Sequence, residues 1–162
     1  MPDLAIVDID GVVAAGRHRL HHIRRKPKDW KRFFADAAKD LPHPEGLAIV
    51  ERLAQDHEVV FLTGRPIAEQ AATQAWLERH GLAGHRLVMR PARDFRPAAV
   101  VKVELLAELA RGRRVAVVVD DDPDVIAAME AAGHPTLLAD WEPRAPEQEA
   151  TLRTAQEREG RT

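Results

Sequence analysis

Short apolar runs that alternate with longer amphipathic stretches constrain the fold of this chain more than any other feature. Each run is nearly continuous in hydrophobicity and ends at polar or turn residues, which is typical of strands buried on both faces of a sheet. The predicted strands are Leu4–Val7, Val59–Leu62, Leu87–Met89, Val115–Val119 and the less apolar Thr136–Ala139. The predicted helices are Pro44–Gln55, Pro66–His80, Pro97–Ala110 and Pro123–Ala132. Because strands and helices alternate, we expect an α/β fold: a five-stranded parallel sheet with helices on both faces, in a three-layer, Rossmann-like arrangement.

The length and the local composition predict one domain with two additional segments. A chain of 162 residues is within the usual range for a single domain, which we expect over residues 1–142. Residues 14–43 follow the first strand and are expected to form a small basic insert or cap, with a helix from Asp29 to Ala38. Residues 143–162 form a charged tail with few apolar anchors, which we expect to be helical or frayed.

The basic insert has two interpretations. The run Arg17–Arg32 holds eight lysines and arginines and one acidic residue. It is either a solvated face whose long side chains lie along the surface, or a functional segment that contacts a phosphate backbone or forms a small cap over the site. Trp30, Phe33 and Phe34 recur at helical spacing, so we expect them to anchor the insert rather than to stack on bases.

The composition excludes several classes of protein. The absence of cysteine excludes disulfides, thiolate metal sites and a cysteine nucleophile. No apolar run approaches the roughly 18 residues of a membrane span, and Met1-Pro2-Asp3 does not begin a signal peptide, so we expect a cytoplasmic protein. The net charge of −2 neither demands nor excludes a polyanionic partner. Nothing in the sequence indicates an obligate protein partner.

Polar residues follow four of the predicted strands at the point where each strand ends. They are Asp8-Ile9-Asp10-Gly11, Thr63-Gly64-Arg65, Arg90 and Asp120-Asp121-Asp122. In open parallel sheets, ligands bind beyond the carboxyl ends of the strands. Carboxylates gathered at two neighbouring strand ends repel one another unless a cation lies among them, and oxygen ligands favour Mg²⁺. A hydroxyl group, a lysine and arginines at the same edge would bind the oxygens of a phosphate.

These residues, in this order, resemble the four motifs of the haloacid dehalogenase superfamily of aspartyl-phosphate phosphatases, spread over residues 8–121. The resemblance implies that Asp8 is the nucleophile and becomes an aspartyl phosphate. It implies that Asp10 protonates the leaving oxygen and then accepts a proton from water. Thr63 would bind phosphoryl oxygens, and Lys102, on the helix after the third strand, would neutralise the nucleophile and the phosphate.

The resemblance also implies a magnesium site and part of a substrate site. The ion would be held by Asp8, the carbonyl of Asp10, Asp120 and Asp121, with the narrower resemblance below favouring Asp121 as the direct ligand. The expected substrate-binding residues are Gly11, which permits the tight turn after Asp10, together with Gly64, Arg65, Arg90 and Arg96. Asp122 and Asp124 are expected to cap the helix that begins at Pro123, and Thr63 to cap the helix that begins at Pro66.

A narrower resemblance is to the phosphatase domain of the phage-type polynucleotide kinase–phosphatases, which removes 3′-phosphates from nucleic-acid ends. The matching segments are Thr63-Gly64-Arg65, Thr73-x-x-Trp76-Leu77, Met89-Arg90, Asp94-x-Arg96, Val101-Lys102, Val119-Asp120-Asp121 and Val125-Ile126. It implies that Arg65 and Arg90 bind the substrate phosphate or its neighbours, and that Asp94 and Arg96 organise the loop before Lys102. Asp122 departs from the pattern, which commonly has arginine there, and no phosphate-binding loop of a kinase module occurs in the chain.

Several functions fit these residues. The first is a magnesium-dependent phosphomonoesterase, whose substrate is a 3′-phosphate end of nucleic acid or, alternatively, a nucleotide or a small phosphorylated metabolite. The second is a phosphotransferase that passes the aspartyl phosphate to an acceptor other than water. The third, of a different class, is a catalytically idle binding protein on the same fold. The presence of both Asp8 and Asp10 favours an enzyme.

Overall fold

The computed structural model describes residues 1–162 and has a five-stranded parallel sheet at its centre. The strands along the chain are β1 Leu4–Val7, β2 Ala14–Ala15, β3 Leu41–Pro42, β4 Glu58–Pro66, β5 Arg86–Arg90, β6 Val115–Asp120 and β7 Thr136–Leu138. The order in the sheet is β5-β4-β1-β6-β7, and every neighbouring pair is parallel. The predicted α/β fold is confirmed. Because β1 lies between β4 and β6, the chain turns from one half of the sheet to the other beside β1.

Helices cover both faces of this sheet. They are α1 His21–Arg24, α2 Trp30–Ala35, α3 Pro44–Leu53, α4 Gln70–Arg79, α5 Ala98–Leu109, α6 Pro123–Ala131 and α7 Pro146–Arg153. Alternate residues of β1 point to opposite faces: Ala5 and Val7 pack in a core with α3 and α4, whereas Leu4 and Ile6 pack in a core with α5 and α6. Full burial of each larger aliphatic side chain stabilises the fold by about 1.5–3 kcal/mol relative to exposure.

The second core strand is longer than the sequence predicted, and the helix after it begins later. Pro66 is extended (ψ 148°) and pairs with Arg90, after an irregularity in the pairing between Thr63 and Pro66. A short 3₁₀ turn, Ile67–Glu69, then precedes α4. The expectation that Thr63 caps a helix is therefore wrong, because its hydroxyl accepts a hydrogen bond from the Arg65 amide (3.1 Å) within the strand.

The insert and the tail pack on each other. In the insert, β2 and β3 form an antiparallel pair, and the Asp29 side chain caps α2 by accepting a hydrogen bond from the Arg32 amide. The expected helix Asp29–Ala38 is thus α2 followed by a 3₁₀ turn, Asp36–Lys39. The tail forms α7 and a π-helical turn, Thr154–Arg158. Phe33, Trp30 and Phe34 anchor the insert as predicted, in a small cluster completed by Leu20, Ile23, Leu152 and Ala155.

No helix in the structure combines the length and the apolar character that crossing a membrane requires.

Candidate active site

A group of acidic side chains lies at the carboxyl ends of β1 and β6, where the chain turns from one half of the sheet to the other. Asp8 directly follows β1, and its amide donates a hydrogen bond to the carbonyl of Val119 on β6 (2.9 Å). Asp120 is the last residue of β6, and Asp121 follows it. The parallel pairing of the two central strands thus brings these carboxylates together, as the sequence predicted for this edge of the sheet.

Lys102 on α5 supplies a positive charge to this group. Its Nζ lies 2.6 Å from Asp120 Oδ2 and 3.1 Å from Asp8 Oδ1, and all three side chains are buried. Burial alone would lower the pKa of Lys102, but Asp120 and Asp8 raise it above its ordinary value. Burial and the neighbouring Asp120 charge raise the pKa of Asp8 well above the ordinary value of a carboxyl group. One ammonium group therefore does not balance the carboxylates around it.

The acidic cluster, which comprises Asp8, Asp120 and Asp121, fits a divalent cation. Ligand oxygens of the three residues lie within 4.8 Å of one another. Asp120 already accepts hydrogen bonds from Lys102 and from the Asp122 amide, whereas Asp121 Oδ1 is buried without a partner. Burial, together with the Asp120 and Asp8 charges, raises the pKa of Asp121. Asp121 is thus the carboxylate whose oxygens remain free for an ion, and oxygen-rich sets of this kind suit Mg²⁺.

Gly11 allows Asp121 to take this position. Its φ of +78° is in the left-handed region, and a Cβ atom at this residue would overlap the Asp121 carboxylate. Asp122, by contrast, points one oxygen at the start of α6, where it accepts a hydrogen bond from the Asp124 amide (2.8 Å). The expectation that Asp122 caps this helix is confirmed.

Asp10 lies beside the acidic cluster and is bound by two arginines. Arg65 Nη2 and Nε donate to Asp10 Oδ1 (2.7 Å) and Oδ2 (3.0 Å), and Arg19 Nη2 also donates to Oδ1 (2.8 Å). Burial alone would raise the pKa of Asp10, but the two guanidinium groups lower it well below its ordinary value. Arg65, which was expected to contact substrate, thus contacts the predicted acid–base residue.

Asp40 holds both arginines and was missed in the sequence. Its fully buried carboxylate accepts hydrogen bonds from Arg19 (3.0 Å) and Arg65 (3.3 Å), and His18 Nε2 lies 2.7 Å from it. The Trp76 indole donates to the Asp40 backbone carbonyl (2.9 Å), which fixes the end of the insert against α4. The signal available in the sequence was an acidic residue at the point where the basic insert returns to the core.

Two of the arginines that were expected to bind substrate, Arg90 and Arg96, make no contact with the acidic cluster. Arg90 is almost fully buried (1% exposed) and donates to the backbone carbonyls of Gly64, Asp94, Arg96 and Thr162. These contacts use its guanidinium group to hold backbone segments together, contrary to the expected contact with phosphate. Arg96 is half-exposed and pairs with Asp94 and Glu104, and it contacts none of the carboxylates in the acidic cluster. Gly64 faces the backbone of Thr162.

We expect Arg90→Ala to lower the free energy of unfolding by about 3 kcal/mol, because it leaves buried carbonyl groups without their donor. Chemical denaturation measures this change. Arg96→Ala is the matched control, since it removes an exposed arginine from the same region and should leave stability close to wild type. Equal stability of the two variants would contradict the structural role of Arg90.

Comparisons with known proteins show the family to which the chain belongs. A model of the family described as "Polynucleotide kinase PNKP phosphatase domain" matches residues 2–138. The chain is 27% identical over 141 residues to a protein of Autographa californica nuclear polyhedrosis virus named as a bifunctional polynucleotide kinase/RNA ligase. That match covers 85% of this chain and 19% of the viral protein.

Solved structures share the fold. Two come from Pnkp1/Rnl/Hen1 complexes, one of them described as an RNA repair complex, with TM-scores of 0.69 and 0.72 and sequence identities of 23% and 22%. They cover 85% and 89% of this chain, which spans 42% and 48% of those chains. A haloacid dehalogenase-like hydrolase of Streptococcus pneumoniae has a TM-score of 0.65 at 10% identity, covering 94% of this chain and 91% of that one. With most of its length matched by the family model, the chain belongs to the polynucleotide kinase PNKP phosphatase-domain family, a family of haloacid dehalogenase-type phosphatases.

Proposed function

We propose that this phosphatase is a magnesium-dependent phosphomonoesterase that forms an aspartyl phosphate on Asp8 and acts on 3′-phosphate ends of nucleic acid. The observation that best supports it is the buried contact of Asp8 with Lys102 (3.1 Å), with Asp10 two residues further along the same loop. A nucleophile and a proton donor on one loop, beside a fixed positive charge, meet the needs of a two-step ester hydrolysis.

In the first step, an oxygen of Asp8 attacks the phosphorus atom and the bond from phosphorus to the ester oxygen breaks. Lys102, which is buried and already in contact with Asp8, stabilises the charge on the phosphoryl group. Asp10 gives its proton to the departing ester oxygen, so that the product alcohol leaves as a neutral molecule. Asp8, Asp121, Asp120 and the Asp10 carbonyl would hold Mg²⁺, which supplies positive charge against the phosphate when bound.

Asp10 needs a proton for this step, yet Arg19 and Arg65 hold its carboxyl group ionised. A substrate phosphate offers oxygens that match guanidinium N–H donors, and it competes with Asp10 for them. When the arginines turn to the phosphate, their effect on the pKa of Asp10 weakens and the carboxyl group can take up a proton. The two arginines therefore link the arrival of a phosphate to the protonation of Asp10.

In the second step, a water molecule attacks the phosphorus atom of the aspartyl phosphate. Asp10, now ionised, accepts a proton from this water, and the bond from phosphorus to Asp8 breaks. Inorganic phosphate leaves and Asp8 is again a free carboxylate. Asp10 releases the proton taken from water to the solvent when Arg19 and Arg65 return to it.

The exposed side of the insert supports a nucleic-acid substrate. Arg24, Arg25 and Lys26 are exposed, and none of them forms an ion pair within the chain. They belong to the same insert as Arg19, which contacts Asp10, so this basic surface lies on the segment next to the site. The family membership and the viral relative, whose name includes polynucleotide kinase and RNA ligase, point to the same substrate class.

The salt dependence of binding tests this substrate class. Apparent affinity for a 3′-phosphorylated single-stranded oligonucleotide should fall with salt, with a slope in log units of about 0.7 for each phosphate contacted. Substitution of Arg24, Arg25 and Lys26 by alanine should reduce this slope by up to about 2. Turnover of a nucleoside 3′-monophosphate should stay nearly unchanged in the same variant.

Three exposed arginines near the amino ends of the strands, at the opposite edge of the sheet, provide the matched control. Substitution of Arg86, Arg111 and Arg114 by alanine removes three positive charges, as the first variant does. It should leave the salt dependence of oligonucleotide binding close to that of the wild type. If the oligonucleotide and the mononucleotide are hydrolysed with equal efficiency and equal response to salt, the nucleic-acid assignment fails and a small-molecule phosphatase takes its place.

A further inference from the structure

The cavity beside Asp10 and Asp121 is too small for a substrate. Its volume is about 30 Å³, enough for one or two water molecules. The cavity is lined by residues of the site, of the insert and of the tail. The tail residues that line it are Leu152, Gln156 and Thr162. A larger cavity at Asp121, of about 360 Å³, lies between the start of α6 and α7, so the tail forms one wall of this cavity as well.

Thr162 in the tail lies against Gly64, one of the residues that were expected to contact the substrate. The backbone of Thr162 packs against Gly64 so closely that a Cβ atom at Gly64 would collide with it. The Thr162 carbonyl accepts a hydrogen bond from Arg90 Nη2 (3.3 Å), and the residue is buried. Gly64 was predicted from the sequence as a substrate contact, so the tail covers a residue that the substrate would need, and Arg90 helps to hold the tail there.

Acidic residues of the tail pair with basic residues of the insert. Glu149 Oε1 lies 2.6 Å from Arg17 Nη2, and Glu159 pairs with Lys28. Arg161 adds a contact of another kind, because its guanidinium group lies over the rings of Phe95 (4.8 Å) and Trp30 (5.5 Å). The tail carboxylates thus neutralise Arg17 and Lys28, two positive charges that would otherwise be available to bind a polyanion on this side of the site.

The apolar attachment of the tail is small. Ala155 is its one fully buried apolar residue, in a cluster of 4 buried residues, whereas the two clusters against the sheet contain 14 and 10. The rest of the attachment consists of the Arg90 hydrogen bond to the Thr162 carbonyl, the contact of Arg161 with two aromatic rings, and ion pairs that individually contribute little to stability. A segment held in this way can leave its site at a small cost in free energy.

We propose that residues 146–162 form an autoinhibitory strap, which occupies the entrance of the site and competes with the polyanionic substrate for Arg17 and Lys28. The strap must leave before a nucleic-acid end can reach Asp8. This inference rests on the proposed function, since the competition requires a polyanionic substrate.

Two variants that weaken the attachment of the strap test the proposal. One removes negative charge from the strap and the other removes positive charge. Glu149→Gln with Glu159→Gln should raise kcat/KM for a 3′-phosphorylated oligonucleotide by about three- to tenfold. Arg161→Ala should also raise it, although it removes a positive charge and would by charge alone weaken the binding of a polyanion. Glu147→Gln is the control, because Glu147 is an exposed tail residue whose side chain makes no ion pair.

Hydrogen exchange gives a readout that does not depend on turnover. Amides of residues 154–162 should exchange faster in both strap variants, and faster in the wild type when an oligonucleotide without a terminal phosphate is added. Kinetics and exchange equal to those of Glu147→Gln in both strap variants would overturn the strap. Absence of any phosphatase activity would instead overturn the proposed function, and the exchange measured with the unphosphorylated oligonucleotide would still decide whether the tail yields to a polyanion.

Discussion

Replacing Asp8 by asparagine should reduce turnover by about 10⁴-fold or more while leaving the fold intact. The amide has nearly the same shape as the carboxylate, but it cannot form the acyl phosphate that divides the reaction into two steps. Burial and Asp120 raise the pKa of Asp8, so its ionised form is disfavoured in the folded state. The neutral amide should therefore leave the thermal unfolding temperature, measured without metal, at or above that of the wild type.

Single-turnover assays with a chromogenic phosphomonoester and with a 3′-phosphorylated oligonucleotide measure this loss. Mass spectrometry of the purified variant is the necessary control, since deamidation of the introduced asparagine would restore the carboxylate. A variant that is free of deamidation and keeps more than about a tenth of the wild-type rate would contradict the assignment of Asp8 as the nucleophile.

Removal of divalent cations should abolish activity, and magnesium or manganese should restore it. The reason is the excess of negative charge around Lys102 and the unpartnered oxygen of Asp121. Calcium should inhibit, because it prefers more ligands and a looser geometry than magnesium. Asp121→Asn should raise the magnesium concentration that gives half-maximal activity by about tenfold or more.

Asp122→Asn provides the matched comparison, since Asp122 is the adjacent residue and asparagine preserves its hydrogen bond to the start of α6. Its magnesium requirement should stay close to that of the wild type. Isothermal titration of the free protein with Mg²⁺ would separate a loss of ion binding from a loss of catalysis. Full activity in a chelator, or a larger effect of Asp122→Asn than of Asp121→Asn, would argue against this set of ligands.

The sheet and the acidic cluster were predictable because both depend on local patterns. Each core strand is a continuous apolar run, and the carboxyl ends of parallel strands meet at one edge, so Asp8 and Asp120 had to lie near each other once the fold was known. Lys102 was visible as the one basic residue in the largely apolar stretch 98–106, whose other charged residue is Glu104. Its contacts with Asp8 and Asp120 agree with the position that the sequence predicted for it.

The roles of the arginines were not predictable from local patterns. Arg65 and Arg90 both lie at or near the end of a strand, and nothing in their neighbours distinguishes a side chain that binds a carboxylate from one that binds backbone carbonyls. The partners are distant in sequence: Asp40 is 25 residues from Arg65, and Thr162 is 72 residues from Arg90. Such pairings depend on how the insert and the tail return to the sheet, which hydrophobic periodicity does not specify.

The cluster that Phe33 and Ala155 share has a consequence for how the molecule unfolds. Its members from the insert, which are Leu20, Ile23, Trp30, Phe33 and Phe34, pack on one another, whereas the tail adds only Leu152 and Ala155 from more than 100 residues away in sequence. The tail should therefore open first, as a sub-global unit of low stability, while the insert and the sheet stay folded. The tail and the rest of the domain would then respond separately to temperature and denaturant, with the structure of the tail lost at the lower temperature.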